Sequence, residues 1–121
     1  NILGGYGVRG KSEAEARTIV EDAKAVDKAG AFAMVIEGVM EPIAIEITNN
    51  VDCPTIGIGA SAQCDGQVLV TEDMLGLFDR VPKFVKRFGD MQAYVDDAVK
   101  QYAADVRSRA FPSADQLYRP E

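Results

Sequence analysis

Glu37 occupies the most promising place for chemistry in this sequence. It directly follows residues 31–36, a short apolar run bounded by Gly30 and by Gly38 just beyond the glutamate. Such a run is typical of a strand buried on both faces of a parallel sheet, and active sites in parallel α/β folds gather where the strands end. A carboxylate there is expected to be partly desolvated, which raises its basicity and suits a general base that removes a proton beside a carbonyl. A structural carboxylate, capping a helix or paired with a surface lysine, explains the position equally well.

A glycine pattern follows at residues 57–62, which fit the G-x-G-x-x-A spacing of dinucleotide-binding loops. That spacing binds a phosphate only when a helix follows at once, whereas residues 63–66 (Gln-Cys-Asp-Gly) are typical of a loop. We therefore favour a close approach of the backbone to a substrate. Tight packing of the glycines within the protein is an alternative of at least equal weight.

The other polar residues offer less chemistry. Four more carboxylates stand near predicted strand ends: Glu41, Asp65, Glu72 and Asp73. We interpret most of them as helix caps or solvated side chains, and no two have a spacing that indicates a metal pair. The sequence has no histidine and only two cysteines, Cys53 and Cys64. This composition excludes Ser–His and Cys–His nucleophile pairs and a zinc site of cysteines and histidines, and it indicates reduced thiols in a cytoplasmic protein.

Two helices are predicted on either side of the strand that ends in Glu37. The first begins at Ser12, which forms an S-x-x-E capping box with Glu15, and it stops at Gly30. The second begins near Glu41 and ends near residue 50. The predicted apolar face of the first helix consists of Ala16, Ile19, Val20, Ala23 and Val26.

A second strand is predicted at residues 55–59 and a third at 67–70, with a polar loop at 60–66 between them. A parallel crossover normally needs a dozen or more residues. The connection is therefore either a bare loop or a sign that residues 67–75 are partly helical, and we favour the strand. The alternation of helices and strands up to residue 59 is typical of a parallel α/β fold.

The C-terminal third is predicted to be helical. A short helix at residues 81–88 precedes a long amphipathic helix capped by Asp90, and the tail at 111–121 is predicted to be irregular. The apolar stripe of the long helix consists of Tyr94, Val95, Ala98, Val99, Tyr102 and Val106. We interpret its two tyrosines as core residues.

Length and charge narrow the class of protein. The chain has 121 residues and supplies about three βα units, whereas a (β/α)₈ barrel needs eight in ~250 residues. Because it also opens on Asn1, we expect residues 1–121 to form a single partial barrel domain whose N-terminal half is missing, with a processed mature chain as the alternative. A net charge of −6 without a basic face disfavours nucleic acid, and no apolar run approaches the ~20 residues of a membrane span.

Taken in order, several short motifs resemble the ketopantoate hydroxymethyltransferase (3-methyl-2-oxobutanoate hydroxymethyltransferase) family. They are Leu-Gly-Gly-Tyr (3–6), Val-Arg-Gly (8–10), Ala-Gly-Ala (29–31), Val-Ile-Glu (35–37), Pro-Thr-Ile-Gly-Ile-Gly-Ala (54–60), Cys-Asp-Gly-Gln-Val-Leu-Val (64–70), Pro-Lys-Phe-Val-Lys-Arg-Phe (82–88) and Phe-Pro (111–112). Singly they are modest, but together they cover nearly the whole chain with compatible spacing.

The resemblance implies the C-terminal part of a (β/α)₈ TIM barrel of the phosphoenolpyruvate/pyruvate type, plus C-terminal helices, in a homo-oligomer that is a decamer in the family. It implies transfer of a one-carbon unit from 5,10-methylenetetrahydrofolate to 3-methyl-2-oxobutanoate, giving 2-dehydropantoate for pantothenate and coenzyme A biosynthesis. The family's base ends its sixth strand, where Glu37 stands. Mg²⁺ is its typical metal, and the metal ligands belong to the absent N-terminal half, so none is expected in this chain.

The sequence departs from the family at two places: Ser61 stands where a glycine is common, and Gln116 stands near the place of a common histidine. With no metal ligands of its own, the chain alone is expected not to catalyse. Two other functions stay open. One is a barrel lyase of the phosphoenolpyruvate/pyruvate type acting on a small 2-oxo acid, which a folate requirement would distinguish. The other is a non-catalytic oligomerising or ligand-binding fragment, which would stay inactive even beside its missing half.

Overall fold

The structure, a computed structural model, describes residues 7–119, and the motif at residues 3–6 lies outside them. The described residues divide into two compact units, residues 7–70 with 83–85 and residues 71–82 with 86–119. The first unit contains α1 (Glu13–Lys28), β1 (Met34–Glu37), α2 (Glu41–Thr48), β2 (Thr55–Ile58) and β3 (Gly66–Gln67). The second contains α3 (Thr71–Leu75), α4 (Met91–Ser108) and a 3-10 helix (Ala114–Gln116). A single domain over residues 1–121 stays a prediction.

The three strands form one parallel sheet in the order β1-β2-β3, which confirms the predicted parallel α/β arrangement. Met34 pairs with Thr55 at one end of the β1–β2 ladder, and Glu37 pairs with Ile58 at the other. The chain passes from β2 to β3 through a bare loop, which confirms one of the two interpretations. Residues 67–75 are also partly helical, because α3 covers Thr71–Leu75, which confirms the other. The third strand is shorter than predicted, because residues 68–70 leave the sheet before α3 begins at Thr71.

The core of the first unit lies between the sheet and the two helices. It consists of Val20, Ala23, Ile36, Ile43, Ala44, Ile47, Ala60 and Cys64. The predicted face of α1 supplies this core through Val20 and Ala23, with Ala16 and Ile19 packed against it. Val26, predicted on the same face, is 47% exposed and does not belong to this core.

Only one face of β1 is covered by the described residues, so the prediction of a strand buried on both faces is wrong for them. Successive side chains of a strand point to opposite faces. Ile36 faces the helices and is 3% exposed, whereas Val35 on the other face is 60% exposed. Glu37 shares the exposed face with Val35. The helices α1 and α2 therefore cover one side of β1 and leave the side that carries Glu37 accessible.

The second unit differs from its prediction at two places. Residues 81–88 form no helix, and the amide of Phe88 donates instead to the carbonyl of Met74. Asp90 caps α4 as predicted, with its carboxylate accepting from the amide of Ala93 at 3.2 Å. The stripe of α4 does not form a core, however: Tyr94 is 72% exposed, and Tyr102 is 58% exposed although its ring packs edge-on against that of Phe111. No helix among residues 7–119 is both long and apolar enough to cross a membrane.

Candidate active site

Glu37 ends β1 at the carboxyl edge of the sheet, where the sequence predicted it. Its backbone pairs with Ile58, the last residue of β2, so the loops after both strands begin side by side. The side chain is exposed, and no hydrogen bond to its carboxylate occurs within residues 7–119. The partial desolvation expected from the sequence is therefore absent from this part of the chain. The Glu37 side chain is accessible to a ligand, and the direction in which it points depends on the position of its backbone.

The loop after Glu37 is held by the chain segment that precedes α1. Gly38 adopts a left-handed conformation with φ of 66°, which glycine tolerates best. The amide of Arg9 donates to the carbonyl of Gly38 at 2.6 Å, and the amide of Met40 donates to the carbonyl of Arg9 at 3.1 Å. This parallel bridge extends the sheet beyond β1 by one contact, opposite Val39.

Glu15 in turn holds that segment. Its carboxylate accepts from the amide of Gly10 at 2.9 Å, from the amide of Lys11 at 3.3 Å, and from the guanidinium of Arg9. The Arg9 guanidinium and then the Gly10 amide lower the pKa of the Glu15 carboxyl. Only half of the predicted capping box forms: the Ser12 hydroxyl accepts from the amide of Glu15, whereas the Glu15 carboxylate is engaged by residues 9–11.

The glycine pattern at residues 57–62 is a packing feature of this chain. Gly59 has φ of 64°, and a Cβ atom there would lie 2.3 Å from the Cβ of Phe84. At Gly57 a Cβ atom would lie 3.1 Å from the Sγ of Cys64. The close approach is therefore made by the protein's own side chains, which favours the packing alternative over a substrate contact. After the glycine pattern no helix begins until Thr71, so the loop lacks the helix that a phosphate site requires.

Asp65 closes the short loop between β2 and β3; it does not cap a helix, but it is exposed, as the other interpretation expected. Its carboxylate accepts from the amide of Thr55 at 2.8 Å and from the Thr55 hydroxyl at 3.0 Å. These two donors, the amide first, lower the pKa of the Asp65 carboxyl. Thr55 is fully buried, and its hydroxyl also lies 3.0 Å from that of Thr48. The sequence signal that could have predicted this contact is an aspartate directly before a glycine in the short connection between β2 and β3.

The remaining carboxylates lie at helix starts. Glu41 is in the first turn of α2, and Glu72 and Asp73 are in the first turn of α3, where negative charge is favourable. Glu41 has a second contact: the buried hydroxyl of Ser61 donates to its carboxylate at 3.5 Å, a long hydrogen bond. This contact joins the loops that follow β1 and β2 at the edge where Glu37 lies.

Metal-ligating side chains are sparse in residues 7–119. No three histidine, cysteine, aspartate or glutamate side chains of this range lie close enough together to hold a metal ion. Cys53 and Cys64 are both buried free thiols. Burial, and after it the neighbouring Asp27 carboxylate, raises the pKa of the Cys53 thiol. These residues by themselves therefore do not fit a Mg²⁺ site.

This chain is similar over nearly its whole length to a family of known proteins. A family model described as ketopantoate hydroxymethyltransferase matches residues 1–114. The chain belongs to this family. Relatives named 3-methyl-2-oxobutanoate hydroxymethyltransferase are 75% identical over 118 residues in Sphingopyxis alaskensis and 64% identical over 121 residues in Erythrobacter litoralis. The matches cover 98% and 100% of this chain but only 41% and 42% of the relatives, in their C-terminal part. The role of Glu37 stays a prediction.

Proposed function

We propose that these residues are part of an enzyme that transfers a hydroxymethyl group from 5,10-methylenetetrahydrofolate to 3-methyl-2-oxobutanoate. The observation that supports this most directly is Glu37, an accessible carboxylate at the carboxyl end of a parallel strand in a member of this family. Since the chain spans only 41–42% of these two relatives, the activity is proposed for a protein that also contains the remainder of their length. The product is 2-dehydropantoate, in the pantothenate pathway.

In the proposed reaction Glu37 acts as the general base. Its carboxylate removes the proton from C3 of the oxo acid, and the C3–H electron pair moves towards the carbonyl as an enolate. Water cleaves the two C–N bonds of the folate's methylene bridge, which releases tetrahydrofolate and a one-carbon unit at the oxidation level of formaldehyde. The enolate carbon attacks this unit, and the resulting alkoxide takes up a proton to become the hydroxymethyl group. Every step that this chain contributes is a proton transfer at Glu37.

We propose that the exposed face of β1 is the interior of a (β/α)₈ barrel of the phosphoenolpyruvate/pyruvate type. Val35 is 60% exposed on that face, which is unusual for the middle of a strand beside a packed core. Barrel interiors are filled by such branched side chains from neighbouring strands. Residues outside this chain would then cover Val35, and they would also remove water from around Glu37, which would supply the desolvation that is absent here.

The Mg²⁺ that the resemblance implies would hold the oxo acid and stabilise its enolate when bound. Its ligands would come from outside residues 7–119, and the proton transfer at Glu37 is proposed without them. We also propose a cytoplasmic homo-oligomer, as the resemblance implies.

The test is proton exchange at C3 of 3-methyl-2-oxobutanoate, followed by NMR in D₂O with Mg²⁺. The protein joins residues 1–121 to the upstream part of the Sphingopyxis relative, which we call the joined enzyme. We expect exchange in the joined enzyme, and a loss of at least about a hundredfold in Glu37→Gln because removal of a general base costs about 10²–10⁴ in rate. The matched control is Glu46→Gln, because Glu46 is also an exposed carboxylate but lies on α2.

Equal exchange in Glu37→Gln and Glu46→Gln would show that Glu37 is a structural carboxylate. Product formation distinguishes the reaction from that of a lyase: 2-dehydropantoate should appear only when 5,10-methylenetetrahydrofolate is added. Exchange that leads to cleavage of a 2-oxo acid without the folate would contradict hydroxymethyl transfer.

A further inference from the structure

Glu15 is the most highly connected carboxylate of the first unit, although it lies on α1 and outside the proposed chemistry. It accepts from three donors on three successive residues: the Arg9 guanidinium, the Gly10 amide at 2.9 Å and the Lys11 amide at 3.3 Å. Ordinary first-turn carboxylates of a helix are solvated, as Glu13 is beside Arg17. The carboxylate of Glu15 therefore holds the segment 9–11 against the start of α1.

The same segment bonds to both sides of Val39, two residues after Glu37. The Arg9 amide reaches the Gly38 carbonyl at 2.6 Å, and the Met40 amide reaches the Arg9 carbonyl at 3.1 Å. These contacts restrict the backbone at Gly38, which matters because glycine can adopt more backbone conformations than any other residue. Without the bridge, the peptide after Glu37 would lose its two recorded contacts to the segment before α1.

Gly10 limits where the segment can lie. It has φ of 85°, and a Cβ atom there would be 1.9 Å from the Cδ1 of Ile43, a core residue of α2. The segment therefore fits between α1 and α2 with its backbone against Ile43. A displacement of this segment would move the Arg9 backbone and, through it, the loop that carries Glu37.

We propose that Glu15 is a positioning residue for Glu37, acting through the backbone bridge between Arg9 and residues 38–40. The inference rests on the proposed function, because it assigns Glu15 a part in proton removal at C3. The Glu37 carboxylate has no hydrogen-bond partner within residues 7–119, so its position depends on its backbone, which pairs with Ile58 on one side and continues into the loop that the bridge holds on the other. In catalysis, misplacement of a reacting group by about 1 Å can lower the rate about a hundredfold.

The experiment compares Glu15→Ala, Glu15→Gln and the control Glu13→Ala in the joined enzyme. Glu13 lies in the same turn of α1 and has the same charge, but its ion pair at 3.0 Å involves only exposed side chains. We expect Glu15→Ala to lower kcat for C3 proton exchange about ten- to a hundredfold with KM within about twofold. Glu15→Gln should restore part of the rate because its amide oxygen can still accept from Gly10. Glu13→Ala should match the parent enzyme.

Amide hydrogen exchange measured by mass spectrometry reports the bridge itself. In Glu15→Ala the amide of Met40 should exchange faster than in the parent enzyme, while peptides from the core of α2 should keep their protection. Glu13→Ala should change neither. If Glu15→Ala does not fold, Arg9→Ala takes its place, since it removes the ion pair and leaves the backbone donors.

Unchanged kcat in Glu15→Ala, or in Arg9→Ala where that variant is used, would overturn the proposal. So would a loss of kcat without faster exchange at Met40, because the effect would then not pass through the bridge. Failure of the proposed function looks different: the parent enzyme itself would show no C3 exchange. In that case unchanged protection of Met40 in Glu15→Ala would still refute the coupling between Glu15 and the loop.

Discussion

Replacing Gly59 by alanine tests whether the glycine pattern serves packing. A left-handed backbone costs a non-glycine residue about 1–2 kcal/mol. The new Cβ atom would also lie 2.3 Å from the Cβ and Cγ of Phe84, and overpacking of this kind costs typically about 1–3 kcal/mol. We therefore expect Gly59→Ala to lower the free energy of unfolding by about 2–5 kcal/mol, the sum of the two effects.

Gly30→Ala separates the two effects. Gly30 has φ of 91°, but a Cβ atom there would have no neighbour within 4 Å. Its replacement should cost only the backbone part, about 1–2 kcal/mol. Any gain from a stiffer unfolded chain is the same in both variants and cancels in the comparison.

The assay is urea unfolding of the joined enzyme at one fixed protein concentration, for the single variants and for Gly59→Ala in a Phe84→Gly background, which also removes the Cβ of residue 84. Removing the whole Phe84 side chain, including its Cβ, should reduce the cost of Gly59→Ala to roughly that of Gly30→Ala, about 1–2 kcal/mol. The packing argument would be refuted if Gly59→Ala and Gly30→Ala cost the same. It would also be refuted if the cost of Gly59→Ala were independent of Phe84.

Two further predictions concern the loop between β2 and β3. The pKa of Asp65 is lowered, so its contribution to stability should be present above the ordinary value of 3.8 and be lost as the pH falls through the folded-state value. Asp65→Asn should therefore be less stable than the parent at pH 7, with a gap that narrows in acid, whereas the exposed Asp22→Asn should show neither effect in urea unfolding. Thr55→Val should lower stability by about 1–3 kcal/mol, because it removes a buried hydroxyl that the structure pairs with Asp65. Thr18→Val, where the hydroxyl is exposed, is the control for thermal unfolding, and equal Tm values would contradict the buried network.

Predictions that depended on local spacing were confirmed most often. Ser12 and Asp90 begin helices because a side-chain oxygen can satisfy an amide three residues ahead, whatever the rest of the chain does. Alternating elements with glycine at their ends predicted the parallel order of β1 and β2. The place of Glu37 at the carboxyl edge followed from the same pattern, since it required only the end of one strand.

Predictions that depended on which element packs against a residue often failed. The stripe of α4 and the outer face of β1 have apolar residues at the right spacing, yet Tyr94 and Val35 are exposed. Periodicity shows which residues share a face, but covering that face requires another element at the right distance. The partners of Asp65 and Glu15 were missed for a related reason: each was expected to cap a helix or to meet solvent.

The sequence by itself therefore determined the order of helices and strands, the direction of the sheet and the edge at which Glu37 lies, because these depend on contacts within a few residues. Only the tertiary structure decided that Glu15 holds Arg9 and that Phe84 fills the space beside Gly59. Arg9 and Glu15 are close in sequence, but the use of Arg9 to bridge residues 38–40 depends on how α1 packs beside β1. Such contacts join residues far apart in the chain, and no local pattern specifies their distance or direction.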